Sequence, residues 1–440
     1  MKKPQVPPGI PRKLPDEFTG FTSRLHQGGE EGKRISQLVQ KYNEREYIHW
    51  DDLRRKKIPY DPVVLWHAIA SLRTTRYRVI RIGAEKFRFT LPESFHKQLH
   101  LIDKASPASF DWLFGQSPGE AARKHYLINS LMEEAIASSQ LEGAATTRPE
   151  AKKILREGRM PKNTSERMIV NNYRTISRLK ELRGQPLSRD LLLEIHHEIT
   201  RGTLESDEDE TDFRNRDDIV VSSKTDPAQV YHYPPAGKKV PAMVDDLCAF
   251  ANADDEFIHP IVKAIILHFL IGYIHPFNDG NGRTARAIFY WFALKHHYDL
   301  LEYLSISRIF VHAPTQYARA YLLTETDSND MTYFIDFNIR IISRALDDLK
   351  QYLITKKEEE AASLLLVEEM PDISLRQAEI LRECIRHPAR PYTISEIAGK
   401  YKISLPTART DLNLLAEMGR LKKYQDGKRQ VFIYNRQASR

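Results

Sequence analysis

Within the twelve residues from His275 to Arg286, HPFNDGNGRTAR, the chain places an imidazole, a carboxylate, two glycines flanking an asparagine, and two guanidinium groups. Each residue type has a distinct use. Histidine is the side chain whose unperturbed pKa lies near neutrality, as a general base requires. Glycines let a backbone approach a ligand closely, and the amides at the start of a following helix favour an anion. Arg283 and Arg286, three residues apart, fall near one another on a first helical turn and can hold two phosphates of one polyphosphate. Asp279 can bring a hard cation such as Mg²⁺ to that anion. The rival phosphate loops GxxxxGK[ST] and GxGxxG are absent. GNGR alone reads as a helix-to-helix turn with solvated charges. The full run, set between two apolar helical segments, reads as nucleotide, metal and base brought together.

Those residues need elements to hold them, and the helix start signals are legible. HPIVKAIILHFLIGYI has Pro260 at its start and is apolar nearly all round, which marks a central buried helix ahead of the motif. TARAIFYWFALKHH continues as a helix after it. Upstream, SPGEAARKHYLINSLMEEAI opens with Ser117 as N-cap and Pro118 at the first helical position. TSERMIVNNYRTISRLKEL starts at Thr164 or Ser165, and LSRDLLLEIHHEI at Ser188, in the same style. Residues 217–236 differ in kind: two β-prone runs surround a polar turn and are closed by Pro234 and Pro235, which predicts a hairpin laid over a helical body. The alternation in RYRVIRIGAEKFRFTL predicts another short hairpin.

The spacing divides the chain into an N-terminal arm and accessory region (1–106), a helical domain (107–345), a charged linker helix (346–371) and a C-terminal segment (372–440). In the last, three amphipathic helices precede two strands around an Asp426-Gly427 turn, the order of a winged helix-turn-helix. Lys422, Lys423, Lys428 and Arg429 suit phosphate contacts there, while the third helix offers few base readers, chiefly Thr407, Arg409 and Asn413. The fold class expected is mainly α, with a β-hairpin on the central domain and a winged-helix domain after it.

At 440 residues the chain can bury two or three cores. A net charge of +7 permits contact with nucleic acid without requiring it, because the basic residues are spread along the chain. With only Cys248 and Cys384, neither a disulfide framework nor a cysteine-based zinc site is available. A reducing compartment, the cytoplasm, is expected, with no signal peptide and no membrane span. His196-His197 and His296-His297 lack metal-ligand spacing and read as surface or packing residues, and His268 reads as a satisfied core histidine.

HPFNDGNGRTAR resembles the HPFx(D/E)GNGRxxR signature of Fic-domain proteins at all nine defined positions, and it lies between two helices as in that fold. The resemblance covers roughly residues 107–345. It implies a protein adenylyltransferase that moves AMP from ATP onto a Ser, Thr or Tyr hydroxyl of a target protein and releases pyrophosphate. It implies that His275 deprotonates the hydroxyl, Asp279 positions Mg²⁺, and Gly280, Asn281, Gly282, Arg283, Thr284, Ala285 and Arg286 line the nucleotide. Among these the amides of residues 280–282 hold the α and β phosphates, Arg283 neutralises the departing pyrophosphate and Arg286 holds the γ-phosphate. Phe277 anchors the loop in the core, and the hairpin at 217–236 corresponds to a flap that docks the target by strand addition.

A second resemblance lies upstream. ASSQLEGAA carries Ser138-x-x-x-Glu142-Gly143, similar to the (S/T)xxxE(G/N) motif of the family's inhibitory helix. Ser138 and Glu142, four apart, share a helical face, so the carboxylate can pair with Arg286 where the γ-phosphate belongs. Other readings remain open at this level: a DNA-binding regulator that uses the Fic domain as a nucleotide sensor, an enzyme that removes AMP with Glu142 orienting a water, and transfer of another phosphate-containing group. The intact His275 favours the enzyme. Expected partners are ATP and a hydroxyl-bearing target, which can be the chain itself, with DNA or protein at the winged helix and a homodimer left open.

Overall fold

The computed structural model describes residues 2–9, 29–105, 120–204, 212–222, 226, 228–427 and 429–436. It divides into two compact units, Met1–Leu349 and Lys350–Arg440. Both are mainly helical. The expected start at Ser117 and Pro118 lies outside the described residues.

The first unit opens with α1 (Glu30–Gln40), α2 (Trp50–Leu53) and α3 (Pro62–Thr74), followed by the antiparallel hairpin β1 (Arg78–Ile82) and β2 (Glu85–Phe89) that the alternation predicts, and α4 (Glu93–Lys104). The helical body comprises α5 (Glu120–Leu141), α6 (Arg148–Glu157), α7 (Thr164–Leu182), α8 (Arg189–Thr200), α9 (Val240–Asn252), α10 (Pro260–Ile274), α11 (Asn281–Lys295), α12 (Ile306–His312) and α13 (Pro314–Thr326). Between α8 and α9 lies the short antiparallel ribbon of β3 (Val221–Ser222) and β4 (Val230–His232).

The cause of this arrangement is plain in α10. Twelve of its fifteen residues are buried, so it has no solvent face and must be wrapped by others. It packs along α11, and α7 and α8 pack against α11 in turn. Pro260 starts α10, and Ser188 caps α8 by accepting from the Leu191 amide at 3.1 Å. The expected cap of α7 is corrected. Asn163, rather than Thr164 or Ser165, accepts from the Glu166 amide at 2.9 Å, and Ser165 accepts instead from the Ala145 amide. Three capping residue types stand in a row there, and packing chose among them.

The long α14 (Thr332–Glu369) begins in the first unit and ends in the second. The second unit continues with α15 (Leu375–Arg386), α16 (Ile394–Tyr401) and α17 (Leu405–Glu417), and with β6 (Leu421–Asp426) and β7 (Arg429–Tyr434). A two-residue strand, β5 (Tyr392–Thr393), pairs with β7 to make a three-stranded sheet in the order β5-β7-β6; it is too short to show a periodic signal. Ser374 and Gln377 form a capping box on α15, and Thr393 and Ser404 cap α16 and α17. Asp411, buried on α17, accepts from Arg376 and Gln377 and so ties α17 to α15.

Candidate active site

The site is built where the end of α10 meets the start of α11. His275 ends α10 in the left-handed region (φ 51°), and its amide donates to Ile271 at 2.9 Å. Left-handed backbone is uncommon outside glycine, so this conformation is held by its surroundings. Its ring Nδ1 lies 3.2 Å from the Gly272 carbonyl, which can only accept; Nδ1 therefore carries the proton and Nε2 keeps the lone pair. Burial lowers the His275 pKa to about 4, against the opposing effect of the Gly272 carbonyl. The ring is neutral at pH 7, the form a general base needs.

Phe277 is wholly buried, and Asn281 braces the turn above it: its side-chain amide donates to Phe277 O at 2.8 Å while its oxygen accepts from Phe277 N at 2.9 Å. Asn281 thus serves the loop through its side chain as well as offering an amide. Gly280, with φ 79°, sits so close to α8 that a Cβ would lie 2.6 Å from Thr200 Cγ2. Helix α11 then begins, and the amides of its first turn have no partners within the helix, which together with the dipole makes an anion site. Thr284 and Ala285 are buried, and the Thr284 amide donates to Gly280 O at 2.9 Å. Asp279 is exposed; one carboxylate oxygen accepts from the Gly280 amide at 2.5 Å and the other lies 3.6 Å from Arg283.

The two arginines have different surroundings. Arg283 is fully buried and donates to Ile199 O at 3.2 Å; among the described residues its Nε and Nη2 make no hydrogen bond, Nη2 facing the Asp279 carboxylate at 3.6 Å. Burial lowers its pKa. Arg286, 3% exposed, donates from Nε to Ser138 Oγ at 2.8 Å and from Nη2 to Ser138 O at 2.9 Å and to Glu142 Oε1 at 2.8 Å. Burial opposes its charge, but the Glu142 carboxylate raises its pKa overall. Glu142 follows the last turn of α5 and precedes Gly143, whose φ is 104°. Its carboxylate lies against the start of α11, since a Cβ on Gly282 would stand 2.1 Å from Glu142 Oε1. A protein carboxylate therefore lies against the first turn of α11, bonded to Arg286.

Two residues escape a sequence reading. His196 on α8 is buried, stacks on Phe277 with ring centroids 3.6 Å apart, and places Nε2 2.9 Å from Asp279 O. It is a packing residue, as expected, but what it packs is the motif loop. Its signal was its place on the apolar face of α8 with Leu192, Ile195 and Ile199. Arg214 is also buried; it donates to His275 O at 2.6 Å, Ile274 O at 3.2 Å and Pro235 O at 2.5 Å, and its amide donates to Pro276 O. Nothing in its irregular segment marks it beforehand. His268, by contrast, is the satisfied core histidine expected, with Nε2 2.7 Å from Tyr317 Oη and its pKa lowered by burial to about 3.

Residues 186–293, which hold α8, the ribbon, α10, the motif and most of α11, match the Fic/DOC family. The chain is similar to a "Protein adenylyltransferase Fic" of Nematostella vectensis, 31% identical over 120 residues, and to a protein of the same name from Culex quinquefasciatus, 38% identical over 64 residues. The first alignment takes in 26% of each chain, the second 14% of this chain and 13% of the relative, so this chain matches about a quarter or less of these relatives' length. A Fic family protein of known structure from Desulfovibrio desulfuricans G20 gives a TM-score of 0.48 at 18% identity, over 77% of this chain and 96% of that one. Ser138 and Glu142 lie outside the family match.

Among the described residues no helix is long and apolar enough to cross a membrane.

Proposed function

We propose that the chain is a self-inhibited protein adenylyltransferase, a transferase of the Fic type that moves AMP from ATP to a Ser, Thr or Tyr hydroxyl. The observation that carries the reading is the Glu142 carboxylate bonded to Arg286 against the Gly282 backbone. An enzyme whose anion site binds polyphosphate is silenced most simply by a built-in anion in that site.

In the proposed reaction, His275 Nε2 takes the proton of the target hydroxyl. The oxygen forms a bond to the α-phosphorus, the bond from that phosphorus to the bridging oxygen breaks, and pyrophosphate leaves. The first-turn amides of α11 and the Nε and Nη2 of Arg283, which make no hydrogen bond among the described residues, would supply donors for the phosphates, and a bound anion would relieve the cost of leaving those buried donors without one. Arg286 would turn from Glu142 to the γ-phosphate. The exposed carboxylate of Asp279 fits Mg²⁺, which is held by one or two carboxylates and by substrate phosphates; the ion would supply charge neutralisation. The β3–β4 ribbon would receive the target's backbone.

In this reading the second unit is a winged helix whose exposed Lys422, Lys423 and Arg429 face a partner. Lys428 belongs to the same run but lies outside the described residues.

The test is incubation of wild type and Glu142→Gly with α-labelled ATP and Mg²⁺, followed by intact mass. The expected result is a strong gain of covalent AMP in the variant. Equal labelling of both, with His275 still required, would make the α5 segment structural.

A further inference from the structure

A helix ends with backbone carbonyls that have no partner inside the helix, and the dipole favours cations there. At the end of α10, the end that presents His275, these carbonyls are taken by named side chains. Gly272 O accepts from His275 itself, and Ile274 O and His275 O accept from Arg214. Tyr273 O faces Nε2 of His232 at 2.8 Å. His232 is the last residue of β4 and is 7% exposed. Its other ring nitrogen, Nδ1, lies 2.9 Å from Glu325 Oε2 on α13. A carbonyl only accepts, so Nε2 carries a proton, and Nδ1 shares a second with the Glu325 carboxylate. Both ring nitrogens are engaged, one with the helix that carries His275 and one with α13.

We propose that His232 is a positioning residue that caps α10 from the β3–β4 ribbon and so sets the ribbon at a fixed place beside His275. The inference rests on the reading of the ribbon as the docking strand for a target. It assigns the register between target and base to a side chain, because an isolated two-strand ribbon has little rigidity of its own. Arg214 supports the same junction from the other side, binding Pro235 O just after β4 and the two carbonyls at the motif. Groups facing His232 are Glu325, the Tyr273 ring at 5.0 Å between centroids and, through space, His275, whose pKa His232 helps to lower.

The chemistry supplies a conservative variant. In Glu325→Gln, the new amide can donate to a neutral Nδ1 while Nε2–H still donates to Tyr273 O, so both bonds survive without the charge. Glu325→Ala removes one bond and His232→Leu removes both. These variants are made in the Glu142→Gly chain. Hydrogen exchange of the amides at 230–232 and 273–277 is measured alongside covalent labelling by α-labelled ATP and affinity for a non-hydrolysable ATP analogue.

In His232→Leu, exchange at both segments should rise roughly tenfold or more, self-labelling should fall roughly tenfold, and nucleotide affinity should be unchanged. Glu325→Ala should show the same pattern in weaker form, and Glu325→Gln should restore protection and labelling. Unchanged exchange in His232→Leu would overturn the proposal, as would a Glu325→Gln variant as loose as Glu325→Ala. If His232→Leu fails to fold, the Glu325 pair decides. If the Glu142→Gly chain does not label at all, the transferase reading fails, and exchange still decides whether His232 holds the ribbon to α10.

Discussion

Two buried arginines in the first unit sit in polar networks of different completeness. Arg73, 2% exposed, donates from every guanidinium nitrogen: to Asn43 Oδ1, to Tyr333 Oη, and to the carbonyls of Tyr42 and Ile48. Around it Tyr47 and Tyr77 donate to Asp330 Oδ2 at 2.6 and 2.7 Å, and Tyr333 donates to Asp327 at 2.8 Å. Asp330 is wholly buried, Arg88 of β2 donates to Asp327 Oδ1 at 3.0 Å, and the network so stitches α3 and the β1–β2 hairpin to the start of α14. Arg286 is just as buried, yet its carboxylate partner Glu142 keeps about a quarter of its side chain exposed, on a turn beside a glycine. Its neighbour Arg283 keeps two donors without a hydrogen bond among the described residues, Nη2 facing Asp279 at 3.6 Å. In the first network every guanidinium nitrogen of Arg73 is bonded, whereas the second has a partly exposed member and donors without a hydrogen bond among the described residues. Under the proposed function, that difference separates a structural charge from one available to a ligand.

The comparison can be broken most sharply at Arg73. Arg73→Ala leaves buried tyrosines and acids without their cation and should cost about 3–5 kcal/mol, read as a lower denaturant midpoint. A loss below ~1 kcal/mol would mean that the network is not the brace it looks like.

At the other site, His275→Ala should leave nucleotide binding intact and cut AMP transfer by roughly 10²–10⁴-fold, because the base is needed only for the chemical step. Transfer at the parent rate would remove His275 from the mechanism. Glu142→Gly should raise self-labelling by roughly one to two decades, since a charge-assisted pair of about 1.5–3 kcal/mol no longer competes for Arg286. The double variant Glu142→Gly with Arg286→Ala should stay silent, because it lacks the residue proposed to hold the γ-phosphate. An active double variant would sink the role given to Arg286.

The smallest effect concerns pH. Burial lowers the pKa of His49 and His268 to about 3 and of His275 to about 4. The unfolded chain protonates these rings near 6.5 and the folded chain does not, so their contribution is full above that value and is lost as pH falls toward 4. Each fully buried ring should account for about 1–2 kcal/mol between pH 6.5 and 5. Asp336 acts with the opposite sign, because burial raises its carboxyl to about 6 and the folded state gains a proton there first. The difference in urea midpoint between pH 7 and pH 5 should therefore be smaller in His268→Asn than in the parent. An equal difference would show that the ring already protonates in the folded state.

The sequence by itself determined what contiguous residues can determine. The spacing from His275 to Arg286 places base, turn, helix start and both arginines, because they lie within one turn and one helix whose local geometry leaves little choice. The all-round apolar character of α10 was enough to make it central, and some helix starts, such as those at Ser188 and Ser404, were legible from residues that accept from an amide three positions on. Short-range spacing could also propose that Ser138 and Glu142 share a face. Only the tertiary structure brought Glu142 to Arg286, across 144 residues of chain, and laid it over Gly282. It alone turned Arg283 inward, stacked His196 under the motif, and closed the end of α10 with Arg214 and His232. Such contacts depend on how helices pack rather than on any period in the chain, and a lone arginine or histidine in an irregular segment carries no mark of the carbonyl it will meet.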